Sequence, residues 1–115
     1  MTWHFFRNWA ETDEPGDLDL ASIVIPLPLP QALAQVEEAL LHLPRWQVKD
    51  VDAQAGTIHA THRTRVFRFV DDVRIRLEPT EGGTRIRARS QSRIGKGDLG
   101  QNRRNLIELL QFLGP

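Results

Sequence analysis

The chain predicts a single α+β domain in which an antiparallel sheet carries two helices on one face. Three observations lead there. Its 115 residues are enough for one domain and too few for two. After residue 45, four strand-like segments follow one another with only turns between them, which favours antiparallel pairing. Two further segments, before and after those strands, repeat their apolar residues at helical spacing. The expected order is β-α-β-β-β-β-α.

Residues 1–17 read as an irregular aromatic and acidic arm, and residues 18–115 as the domain. Trp3, Phe5, Phe6 and Trp9 make the arm locally apolar, and an acidic segment with a Pro15-Gly16 turn follows. Such aromatics are a liability in water, so the arm is expected to dock on the domain or on a second copy, giving a homodimer. Residues 20–27 read as the first strand, ending in PLPLP. Pro30 suits the first turn of a helix, where its missing N–H is not needed. Leu33, Val36, Leu40 and Leu43 then lie on one face, and Pro44 stops the helix.

Residues 46–53 and 57–64 form a hairpin around residues 54–56. Residues 66–78 are a longer strand, 80–83 a turn and 84–94 the last strand. Gly95 and Gly97 break it. Residues 98–113 are the closing helix, with Leu99, Leu106, Leu110 and Leu113 on one face. Asp98 followed by Gln101 fits a capping box. The element order resembles the TATA-binding-protein half-fold, with a short helix-grip fold as the alternative. Either is an analogy of architecture, which does not give function.

Composition narrows the chemistry. The chain has no cysteine, so disulfides, zinc–thiolate sites and thiol catalysis are excluded. The longest apolar stretch, 23–30, is short and carries three prolines, so no span of a membrane is expected, and no membrane is expected as a partner. No signal peptide is visible, and a cytoplasmic protein is the expectation. Net charge is zero, but residues 1–61 hold nine acidic and three basic side chains (−6), and residues 62–115 hold six and twelve (+6). Thirteen of the fifteen basic residues are Arg, whose planar fork suits carboxylates and phosphates. The two halves either neutralise each other or leave an anion-binding face.

The last two strands allow a register. Phe67, Phe69, Val73, Ile75 and Leu77 alternate on one, and Ile86, Ala88 and Ile94 on the other, so these sets point to the core. A four-residue loop at 80–83 then pairs Leu77 with Ile86, Ile75 with Ala88, Val73 with Ser90 and Asp71 with Ser92. Asp71 falls on the core face, where a lone carboxylate is costly. Its expected partners are Ser92 and either Arg103 or Arg104. On the other face Arg74 meets Arg89 and Arg76 meets Arg87. Those like charges need screening by Asp72, Glu78 or the acidic arm, or else an anionic partner.

The stretch Phe67-Arg68-Phe69-Val70-Asp71-Asp72 comes first. Arg89-Ser90-x-Ser92-Arg93-x-Gly95-x-x-Asp98-x-Gly100-x-Asn102-Arg103 follows it. The pair resembles the signature of the domain-of-unknown-function 1499 family. The resemblance runs from about Ile23 to the C-terminus. It implies common ancestry and little chemistry, and it brings no established catalytic residues. Many relatives carry an export signal or membrane anchor, and this chain shows neither.

The candidate binding residues are Asp71, Asp72, Ser90, Ser92, Arg93, Lys96, Asp98, Asn102, Arg103 and Arg104, with Arg74, Arg76, Arg87 and Arg89 as a basic surface. The GxGxxG at 95–100 lacks the parallel strand and acidic partner of a dinucleotide site, so its glycines read as a turn and Asp98 as a cap. No cofactor is expected. His59 and His62 fall on opposite faces of a strand, and His4 and His42 have no partners, so no metal site is expected. A Ser92–His62–Asp71 triad has no nucleophile elbow or oxyanion donor behind it. The reading is a non-enzymatic module that binds a protein partner or small anion near the strand-to-helix junction. Alternatives are a purely structural domain, a hydrolase using Ser92, and nucleic-acid binding on the Arg-lined face. Near-neutral pI and the absence of interleaved stacking aromatics disfavour the last.

Overall fold

The computed structural model describes residues 7–95 and 97–114. Trp3, His4, Phe5, Phe6 and Lys96 therefore lie outside the described residues, and with them the dimerising role expected of the arm.

The fold is a single α+β domain. Its strands are β1 (Trp9–Glu11), β2 (Ile23–Ile25), β3 (Trp46–Asp52), β4 (Thr57–Arg63), β5 (Val70–Thr80) and β6 (Gly83–Ser92), and its helices are α1 (Leu29–His42) and α2 (Gln101–Leu113). All strand pairs are antiparallel, in the order β1-β6-β5-β4-β3, and β2 also lies beside β6. Both helices pack on one face of the sheet. Val36 and Leu40 of α1, Leu106 and Leu109 of α2, and Ile58, Val73, Ile75, Leu77 and Ile86 of the sheet are buried together. Burial of this apolar surface, at roughly 25 cal/mol per Å², is the main force holding the layers.

The β5–β6 register is the expected one, with Asp71 opposite Ser92 and Leu77 opposite Ile86. The turn is two residues tighter, since Thr80 and Gly83 already pair. Shortening a loop by two keeps the same side chains inward, because strand side chains alternate with period two.

Four expectations need correction. The arm is not irregular throughout: Trp9–Glu11 pairs with Arg89, Ser90 and Gln91, and the small Ala10 tucks fully into the core. The strand expected at 20–27 is only Ile23–Ile25, because Leu18–Leu20 forms a 3₁₀ turn that plugs Leu20 into the core. Phe67 and Phe69 are not core residues but 74% and 47% exposed. A turn closes between Thr64 and Phe69, with Arg68 in the left-handed region at φ 58°, so the alternation starts only at Val70. Ile94 and Leu99 are likewise exposed, since β6 ends at Ser92 and α2 begins at Gln101.

Candidate functional site

The first candidate is the junction of β5, β6 and α2. In α2, Asn102, Asn105, Leu106, Leu109 and Leu113 fall on the buried face. That spacing of three and four residues is one stripe of a helix. Asn105 Nδ2 donates to Asp71 Oδ2 at 2.8 Å and to Ser90 Oγ at 3.2 Å. Ser90 Oγ donates to Asn102 Oδ1 at 2.6 Å, and Asn102 Nδ2 donates to Ser92 Oγ at 2.8 Å and the Asn8 carbonyl at 2.9 Å. The core-face carboxylate of Asp71 is thus answered by an asparagine. The expected Arg103 and Arg104 lie off the buried stripe and turn elsewhere. Arg103 holds Asp17 through two bonds of 2.8 and 3.1 Å and Asp19 through one of 2.8 Å. Its hydrogen bonds with Asp17, against some desolvation, raise the Arg103 pKa further. Arg104 donates to the Leu99 carbonyl at 2.8 Å and to Gln101 at 3.1 Å.

Asp98 caps the helix: its carboxylate accepts from the N–H of Gly100 at 2.8 Å and of Asn102 at 3.2 Å. The reciprocal arm of the capping box does not form. Gln101 reaches forward to Asn105 Oδ1 at 2.8 Å, because the left-handed Gly100 (φ 81°) turns the chain just before it.

His62 is 3% exposed, its Nδ1 is 3.7 Å from Asp71 Oδ2, and its ring meets Trp46 edge-on at 5.3 Å. Across the sheet, His62 faces Asp71 and Asp71 faces Ser92. The carboxylate therefore stands between the histidine and the serine. A triad needs the imidazole in the middle, to take the hydroxyl proton and be oriented from behind.

The second candidate is the sheet face that no helix covers. Arg74 lies opposite Arg89 and Arg76 opposite Arg87, as the register requires. The expected screens answer three of the four, and Arg74 has no acidic side chain within ion-pair distance among the described residues. Arg87 pairs with Glu78 at 2.8 Å and with Asp13, and Arg76 and Arg89 sit 3.8 Å from Glu78 and Glu11. Arg89 also lies over the Trp9 ring, 4.4 Å from its centroid. Asp72 accepts two bonds from Arg93 at 2.9 and 3.0 Å and lies 2.7 Å from His59 Nε2. Chiefly through Arg93, and against some desolvation, its pKa falls from the ordinary 3.8 to about 2. The cavity here, about 770 Å³, is lined by both signs, with Glu11, Asp13, Asp50 and Glu78 among the arginines. Beside it Arg74, Arg89, Ser92 and Arg93 border a smaller cavity of about 330 Å³ with Asp72.

The third candidate has one sign only. A cavity of about 510 Å³ at the far end of β3, β4 and β5 is lined by Arg45, Arg63, Arg65 and Arg68, with Gln47 and Thr64 and no carboxylate. Among the described residues, none of these arginines has an acidic side chain within ion-pair distance. Arg45 is brought in by its carbonyl, which accepts from the Arg63 N–H at 2.9 Å. Sequence reasoning missed this basin. The signal was there: residues 53–70 contain no acidic residue, and three arginines fall within 62–69.

Among the described residues no three metal-ligating side chains cluster, and no helix is long and apolar enough to cross a membrane.

The chain belongs to the family described as "Protein of unknown function (DUF1499)", whose profile matches residues 9–113. Comparison with curated proteins finds no match.

Proposed function

We propose that this domain is a non-enzymatic module that binds an anionic ligand, and that its binding surface is the basin of Arg45, Arg63, Arg65 and Arg68. The observation that carries the reading is the company these residues keep. Arg76, Arg87, Arg89, Arg93 and Arg103 are answered by Asp13, Asp17, Asp72, Glu11 or Glu78. Arg74 and Arg104 have no such partner among the described residues but line cavities that also hold carboxylates, whereas the basin's four share a cavity with none. Like charges around one cavity repel, and an anion entering it relieves that repulsion while accepting charge-assisted hydrogen bonds. Guanidinium forks favour phosphate or carboxylate oxygens as the acceptor.

The junction of Asp71, Ser90, Ser92 and Asn102 supports a structural role better. Its polar groups are bonded to one another, and a ligand would first have to break those bonds. The order His62–Asp71–Ser92 weighs against a hydrolase. The β-α-β-β-β-β-α run from β2 onward supports the TATA-binding-protein-like half-fold. A cytoplasmic location belongs to the same proposal and is tested by fractionating cells that carry a tagged chain.

Calorimetric titration with pyrophosphate tests the binding. Saturable binding is expected, lost in Arg63→Gln/Arg65→Gln and kept in Arg74→Gln. No binding, or binding untouched by the double substitution, overturns the reading.

A further inference from the structure

The loop that supplies Arg65 and Arg68 to the basin also carries an apolar tip. Val66 and Phe67 are 77% and 74% exposed, and Phe69 is exposed beside them. The two phenyl rings stack on each other, with centroids 5.5 Å apart and planes at 16°. Three large apolar side chains on one exposed turn have an unfavourable free energy in water unless something covers them. The turn is closed by its own bonds: Thr64 N–H donates to the Phe69 carbonyl, and Phe69 N–H to Thr64 Oγ1, each at 2.8 Å. These two bonds hold the turn closed and keep its apolar tip turned outward.

We infer that this loop and the arginine basin together form a docking surface for an anionic lipid bilayer, with Val66, Phe67 and Phe69 entering the acyl boundary and Arg45, Arg63, Arg65 and Arg68 meeting the headgroup phosphates. The inference rests on the anion-binding reading above and names its partner. Charge complementarity and the tip agree on one occupant. A bilayer offers phosphates and an apolar layer a few ångströms apart, matching an arginine collar around an apolar point. Arginine suits that collar, because its aliphatic stem lies along the apolar side while its head stays with the phosphates. A single-stranded nucleic acid supplies phosphates and flat bases for the outer ring faces, but it offers the aliphatic Val66, 77% exposed, no apolar layer to enter. Each cation near an anionic leaflet strengthens binding roughly fivefold, and the effect falls off within a Debye length of about 8 Å at physiological salt.

Co-sedimentation of the intact protein with vesicles tests it, using phosphatidylcholine alone and phosphatidylcholine mixed with phosphatidylglycerol. Binding to the mixed vesicles only is expected, weakening as salt rises. Phe67→Ser/Phe69→Ser should lower the vesicle partition at least about tenfold while leaving pyrophosphate binding unchanged. Arg63→Gln/Arg65→Gln should lower both, the partition by about 25-fold. No binding to the mixed vesicles overturns the inference, and so does equal binding by the Phe variant or tighter binding of oligouridine than of vesicles. Pyrophosphate binding without vesicle binding leaves the proposed function standing and sinks this inference. Vesicle binding without pyrophosphate binding does the reverse.

Discussion

Asn105 Nδ2 lies 2.8 Å from Asp71 Oδ2, and that bond ties the closing helix to the middle of the sheet at a point sealed from water. Asn105→Ala leaves a buried carboxylate short of a donor, so a loss of about 2–4 kcal/mol is expected from urea denaturation, with the slope unchanged. Removing both partners should cost less than the two single losses added together, because neither polar group is then stranded. Strict additivity in the Asp71→Ala/Asn105→Ala cycle would show that the bond carries no coupling.

Asp72 sets a pH dependence. Its pKa in the folded protein, about 2, lies below the ordinary 3.8, so the folded state favours the ionised form. The stabilisation is complete above the ordinary value and disappears as pH falls through about 2. The stability difference between the native chain and Asp72→Asn should shrink steadily over that window. A difference that stays constant from neutral pH down to 2 would place the effect of Asp72 outside its charge.

Gly83 sits at the start of β6 beside the end of its antiparallel neighbour β2, at φ +144°, and a Cβ there would lie 2.0 Å from the Ile25 carbonyl oxygen. Backbone on that side has no soft direction in which to move. Gly83→Ala should cost about 3 kcal/mol or more and detach β2. Hydrogen exchange should then speed up at Ile23–Ile25, and protection equal to the native chain would contradict this.

Phe67→Ser/Phe69→Ser, by contrast, should change the thermal midpoint very little, by about 0.5 kcal/mol or less in stability, since both rings already face solvent. A large drop would return these residues to the core.

Much of the architecture was legible, for a physical reason that can be traced residue by residue. Alternation from Val73 to Leu77 and from Ile86 to Ser90 fixed which face is inward, and pairing followed from that alone. The same logic failed at Phe67 and Phe69, because a turn that bonds Thr64 to Phe69 interrupts the period without any glycine or proline to announce it. Asn105 was overlooked because asparagine reads as solvent-facing, although its spacing from Asn102, Leu106 and Leu109 puts it on the buried stripe. The basin was hidden for a different reason. Arg45 is 18 residues away from Arg63 in the chain, and only the β3–β4 pairing brings them together.

The way β6 is flanked bears on whether this fold can grow. A sheet edge is a template on which a foreign strand can be laid, and long straight edges seed polymerisation. Along β6 most of that template is already occupied, by β2 over Thr84–Ile86 and by β1 over Arg89–Gln91. Each of these flanking pieces is only three residues long, so each offers an incoming strand very little to pair with. At the opposite margin β3 is broken by a bulge at Lys49 and carries Asp50 and Asp52 beside it. The lengths and interruptions of its outermost strands, rather than any bond, make the domain a poor seed for its own extension.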